Sequence, residues 1–166
     1  AIESKLNIKP STEPAGAAPT SPDTSGTIGS DDRTGPSPAG TPPLTAEELY
    51  AAAYKKFQDK DYDGAVTDFT AFIKASPDSS LADNAQFWIG ESYYARKDYD
   101  RAILEYDNVI KKYPSGDKVP AAMLKEGLAF LELGDKAHAK TILADLVKKY
   151  PKEPQAETAR KKLETL

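Results

Sequence analysis

The chain has 166 residues, a formal net charge of −4, no cysteine and one histidine. The lack of cysteine excludes disulfides and thiol chemistry and suits either redox compartment. The charge is spread evenly, with none of the basic footprint of a nucleic-acid binder, and no run nears the roughly 20 apolar residues of a membrane span.

Residues 1–44 hold eight of the thirteen prolines, five of the ten glycines and no aromatic residue. A stretch such as Pro36-Ser37-Pro38-Ala39-Gly40-Thr41-Pro42-Pro43 cannot bury enough apolar surface to offset chain entropy, so 1–44 is predicted to be a disordered linker. The chain opens at Ala1 with no initiator Met and no signal peptide, as a mature product or a fragment would. Ile2 and Leu6, four apart, suit either a coiled-coil remnant over 1–8 or an unstructured tail.

From residue 45 the sequence is periodic. Pro77, Pro114 and Pro151 are spaced by 37 residues, and so are Asp61, Asp98 and Asp135. Ala65, Ala102 and Ala139 form a third column, Lys74, Lys111 and Lys148 a fourth, and the small residues Ala53, Gly90 and Gly127 a fifth. A period between about 20 and 50 residues marks a solenoid of repeated supersecondary units. Each unit is predicted to be helix A, a tight turn, helix B and a proline-bearing loop.

Thr45-Ala46-Glu47-Glu48 has the pattern of a capping box and opens helix A of the first unit, which ends near Asp59. The B helix covers about 62–75. The second unit is expected at about 82–96 and 99–113, the third at about 119–133 and 136–150, and a last helix at about 155–165. Asp61, Asp98 and Asp135 are placed to cap the B helices, and the prolines to stop them. The small residues mark close helix–helix approach. The last helix has Ala156, Ala159, Leu163 and Leu166 on one face, as a terminal cap requires.

These columns resemble the tetratricopeptide repeat. Gly90, Tyr93, Tyr99, Ala102, Tyr106 and Pro114 match that motif at its spacing, whereas the first unit has Lys56 for an aromatic and the third Lys136 for a tyrosine. The usual period is about 34, so about three residues are added in each loop after the proline. The resemblance implies an all-α, right-handed α–α superhelix of three hairpins plus a capping helix over 45–166. The run Ser80-Leu81-Ala82-Asp83-Asn84-Ala85-Gln86-Phe87-Trp88-Ile89-Gly90-Glu91-Ser92-Tyr93-Tyr94, followed by Asp98–Ile103, is similar to the C-terminal domain of the YbgF/CpoB family of Tol-Pal-associated cell-division coordinators. That resemblance implies a periplasmic scaffold contacting TolA-like and peptidoglycan-synthase-like proteins, and a homotrimer formed through an upstream coiled coil. It implies no membrane insertion, cofactor, metal or catalysis. Alternatives are a tetratricopeptide scaffold of outer-membrane barrel assembly, a generic peptide-binding adaptor, or an enzyme using paired carboxylates.

In tetratricopeptide arrays the A helices line the concave face. The matching positions are Tyr50, Tyr54 and Phe57, then Asn84, Phe87, Glu91 and Tyr94, then Leu124, Leu128 and Leu131. They are expected to form an aromatic groove for an extended or helical partner segment, packing between neighbouring helices being the alternative. Trp88 is assigned to structure. Tyr50, Tyr54 and Trp88 stand where a carboxylate clamp needs cationic and amide side chains, which excludes that mode. Lys111-Lys112 and Lys148-Lys149 complement helix dipoles, and His138 is expected at the surface.

Overall fold

The computed structural model describes residues 44–166, which form seven α-helices and no strand. The linker over 1–44 and the element at 1–8 fall, apart from Leu44, outside the described residues. The helices are α1 (Ala46–Gln58), α2 (Tyr62–Ala75), α3 (Ala82–Ala95), α4 (Tyr99–Lys112), α5 (Val119–Glu132), α6 (Lys136–Lys149) and α7 (Pro154–Leu163). Three antiparallel hairpins, α1–α2, α3–α4 and α5–α6, stack in a right-handed superhelix, and α7 covers the last.

Local chemistry sets the ends. The capping box is present: Thr45 Oγ1 accepts from the Glu48 N–H at 3.2 Å, and the Glu48 carboxylate accepts from the Thr45 N–H at 2.7 Å. Asp61, Asp98 and Asp135 cap α2, α4 and α6, accepting from the N–H of Gly64, Arg101 and His138. Each B helix ends at the residue before the proline, Ser76, Tyr113 or Tyr150, in an extended φ near −130°. A further column lies in the A–B turns. Lys60, Lys97 and Gly134 are 37 apart and all have positive φ, 64°, 62° and 80°. The N–H groups of Asp61, Asp98 and Asp135 then donate to the carbonyls of Lys56, Tyr93 and Phe130, which closes a Schellman motif three times.

The small column works against side chains of the B helices. A Cβ on Gly90 would stand 2.6 Å from Tyr106 Cε1, and one on Gly127 would stand 2.7 Å from Leu143 Cδ2. Two core clusters result. One holds Ala53, Ala65, Phe69, Phe72, Ala85 and Ile89; the other centres on Tyr106, Val109, Met123, Leu143 and Leu146. Trp88 and Tyr93 pack against both.

The two ends of the stack differ. Ala82, Ala85, Ile89 and Ser92 of α3 are buried, and so are their counterparts Val119, Ala122, Glu126 and Ala129 in α5. In α1 the same columns hold Thr45, Glu48, Ala52 and Lys55, all exposed. At the other end α7 continues the apolar columns with buried Ala156 and Ala159. The outer face of α1 is thus built for water rather than for another repeat.

Candidate partner-binding face

Nine of the ten predicted groove residues form a grid of three rows and three columns, each column with the 37-residue step. Tyr50, Phe87 and Leu124 make one column, Tyr54, Glu91 and Leu128 the next, and Phe57, Tyr94 and Leu131 the last. Residues four and then three apart share one helix face, which explains why each row is continuous.

The α1 row is aromatic. Tyr50 and Tyr54 stack with centroids 6.5 Å apart and 11° between planes, and Tyr54 stacks on Phe57 at 6.3 Å and 12°. Trp88 reaches across from α3 onto Tyr54 at 4.8 Å and onto Phe57 at 4.9 Å. Its indole Nε1–H donates to the Tyr50 hydroxyl at 2.8 Å. All four side chains are half-buried, and burial raises the Tyr50 hydroxyl above its ordinary pKa. Trp88 therefore has the structural role expected of it and also completes the aromatic surface.

In the α3 row only Tyr94 remains half-open and unanchored by a hydrogen bond. Phe87 is 7% exposed, pressed against Trp88 and Tyr106 at 5.8 Å each, with the Lys118 ammonium over its ring. It is a core residue here, not a free contact, because the large rings of its neighbours close over it. Glu91 is committed within the fold: Oε1 accepts from the Tyr106 hydroxyl at 2.5 Å and Oε2 from Lys125 Nζ at 2.7 Å. That brace ties α3 to α4 and α5. Burial, then the Glu91 carboxylate, push the Tyr106 hydroxyl far above its ordinary pKa. Asn84 is half-buried, and its amide donates to Asp83 Oδ1 at 3.0 Å.

The α5 row is aliphatic. Leu124 packs on the larger core, whereas half-buried Leu128 and Leu131 pack against neither core cluster. Lys125 joins this face unpredicted, with its ammonium 5.1 Å from the centre of the Tyr94 ring. Its position, 34 residues after Glu91, is one helix turn short of the repeat step, and that offset was the available sign of it. The face thus grades from aromatic on α1 to aliphatic on α5. It offers apolar contact area with no nucleophile beside a base, and no metal-binding group of His, Cys, Asp or Glu occurs among the described residues.

His138 lies at the surface as expected, stacked on Phe130 at 5.2 Å with Nδ1 2.6 Å from Asp135. Lys111 pairs with Asp107 at 2.7 Å on α4. No helix among the described residues is long and apolar enough to cross a membrane.

Comparison with known proteins agrees with this architecture. The cell division coordinator CpoB of Pseudomonas putida is 39% identical over 54 residues, which is 32% of this chain and 20% of CpoB. The match thus spans about a fifth of the curated relative's length. Among solved structures, PcrH of Pseudomonas aeruginosa superposes with a TM-score of 0.63 at 20% identity, covering 76% of this chain and 94% of PcrH. PcrH in complex with the chaperone binding region of PopB gives 0.59 at 18% identity, covering 74% and 97%. These likenesses establish a tetratricopeptide fold, and the short match to CpoB bears out the resemblance to that family. The family described as YfiO, outer membrane lipoprotein, matches residues 42–166, about three quarters of the chain and all seven helices of the described residues. The chain belongs to the YfiO family of outer membrane lipoproteins.

Proposed function

We propose that the protein is a non-catalytic interaction scaffold of the bacterial cell envelope, working in the periplasm. Its A-helix face takes a segment of a protein partner, and its role is to coordinate Tol-Pal-driven outer-membrane constriction with peptidoglycan synthesis at division. The observation that carries the scaffold reading is the half-buried row Tyr50, Tyr54 and Phe57, completed by Trp88. Large aromatic surface left half-open on a rigid helix face is the usual substance of a binding hot spot. PcrH, of the same fold, is seen with a region of PopB. The division role draws on the short likeness to the cell division coordinator CpoB, and the partners proposed with it are TolA-like and peptidoglycan-synthase-like proteins.

A second reading, a scaffold of outer-membrane barrel assembly, draws on the lipoprotein family match. The experiment is a titration of the protein with purified TolA, followed by Trp88 emission and calorimetry, for wild type and Tyr54→Ala. The reading expects binding that Tyr54→Ala weakens by about 2 kcal/mol, roughly thirtyfold. Equal affinity for both would remove the A-helix face from the interaction. Absence of binding to TolA, with capture of barrel-assembly proteins from envelope extract, would favour the second reading.

A further inference from the structure

Two sets of surface side chains are built from the same columns, one repeat apart, and only the first carries its own arginine over the aromatic ring. In the first, Arg96 ends α3, pairs with Asp63 of α2, and lies over the Tyr93 ring at 5.8 Å. Arg101 of α4 also lies over Tyr93, at 5.4 Å, and is held by Asp98 at 3.1 Å.

One repeat on, each of these positions has a counterpart. Phe130 stands for Tyr93, Asp100 for Asp63, Asp135 for Asp98 and His138 for Arg101. His138 keeps the inherited geometry, stacked on Phe130 and paired with Asp135. The position of Arg96, however, is taken by Leu133. Among the described residues Asp100 consequently has no ion pair. A groove of about 540 Å³ remains, lined by Asp100, Ile103, Leu104, Phe130, Leu133 and Asp135. Leu104 is 61% exposed and Leu133 45% exposed, two of the three large apolar side chains left so open among the described residues.

We propose that this groove binds an arginine of a partner protein, flanked in that partner by an aliphatic residue. The guanidinium sits between the Asp100 carboxylate and the Phe130 ring, as Arg96 sits between Asp63 and Tyr93, and the aliphatic neighbour rests on Leu104 and Leu133. Arginine fits better than lysine, because a planar guanidinium can stack and pair at the same time. Two carboxylates, Asp100 and Asp135, line the groove, so its charge complements that ligand. Leu133, the C-cap of α5, lies nine residues after Leu124 and so half a turn around the helix axis from it, which separates this surface from the A-helix face.

The test is an amide NMR titration of the full chain with an acetylated, amidated pentapeptide, Ala-Leu-Arg-Leu-Ala, at about millimolar concentration, where a single anchor binds. Its counterpart carries citrulline, a neutral isostere, for arginine. The arginine peptide is expected to shift the amides of Asp100–Leu104 and Phe130–His138, with the citrulline peptide about tenfold weaker. Leu133→Arg should abolish binding by supplying the guanidinium from within, and Asp100→Asn should match the loss seen with citrulline. No localised shift, equal binding of the citrulline peptide, or undiminished binding by Leu133→Arg would overturn the proposal. So would concentration-dependent shifts of these amides in the free protein, which would assign the groove to a second copy. Shifts on Arg33→Gln in the free protein would assign it to the chain's own amino-terminal part and overturn the proposal equally.

Discussion

Gly90 of α3 faces the fully buried ring of Tyr106 so closely that a single added carbon would stand 2.6 Å from Cε1 and 2.7 Å from Cδ1. The ring cannot retreat, because its hydroxyl is fixed to Glu91 at 2.5 Å. Gly90→Ala is therefore expected to destabilise by about 1–3 kcal/mol through overpacking, more than the ~1 kcal/mol that alanine gains in helix propensity. Gly127→Ala would press on Leu143 Cδ2 at 2.7 Å and Cγ at 2.8 Å, but that side chain has no hydroxyl anchor, so the substitution should cost less. Urea unfolding of the two variants gives the comparison, and a Gly90→Ala midpoint at or above wild type would refute it.

The left-handed turn column makes a prediction of opposite sign. Lys97 holds φ 62° where the third unit has Gly134 at 80°. Lys97→Gly removes the Cβ strain and should stabilise by about 0.5–1 kcal/mol, while Gly134→Ala should destabilise by a similar amount. Thermal melts of both variants check the signs.

Glu126 is 5% exposed, and its Oε2 has no hydrogen-bond partner among the described residues. Burial, reinforced by the Asp107 charge and opposed by Lys111, pushes its carboxyl from 4.5 up to about 7. Between those values the folded chain binds more protons than the unfolded one, so stability falls as pH rises through that window and levels off above it. The contribution lost is up to about 3 kcal/mol. Glu126→Gln should flatten this dependence between pH 4.5 and 7. Glu126→Ile, which copies buried Ile89 of the preceding unit, should be the more stable protein at pH 8. A wild-type stability that rises across the window would contradict the assignment.

Phe87 and Tyr54 separate packing from recognition. Phe87→Ala empties a core position and should cost about 3–5 kcal/mol in unfolding free energy. Tyr54→Ala, at a half-buried site, should cost less stability but more binding. Unfolding curves beside partner titrations for both variants test this division, and a fully stable Phe87→Ala would return that residue to the groove.

The sequence was most legible where the chemistry is local. Thr45 with Glu48, and Asp61, Asp98 and Asp135 before their helices, announce caps because a cap needs only neighbours along the chain. The prolines stop helices for the same reason. The turns at Lys60 and Lys97 are not legible in the sequence, because lysine does not advertise a left-handed turn as glycine does. The column of Phe87 says which way it points, toward the groove, and not what closes over it. The rings of Trp88 and Tyr106 do so, and they arrive through tertiary packing. Lys125 meets Glu91 across two units, and Glu126 replaces an isoleucine inside a contact that only stacking creates. Such relations lie outside any window of neighbouring residues.

Trp88 and Tyr93, both on α3, are the residues shared by the two core clusters. The domain is in this sense two blocks joined through α3, which also puts Ala85 and Ile89 into one cluster and Phe87 into the other. The α1–α2 block has the smaller buried cluster and water on its outer face, so its amides should exchange with solvent sooner than those of α4 to α6. The aromatic row belongs to that looser block. A partner laid across Tyr54 and Trp88 would slow exchange in α1 and α2 together, so occupancy of the face could be read as tightening of a hairpin far larger than the contact itself.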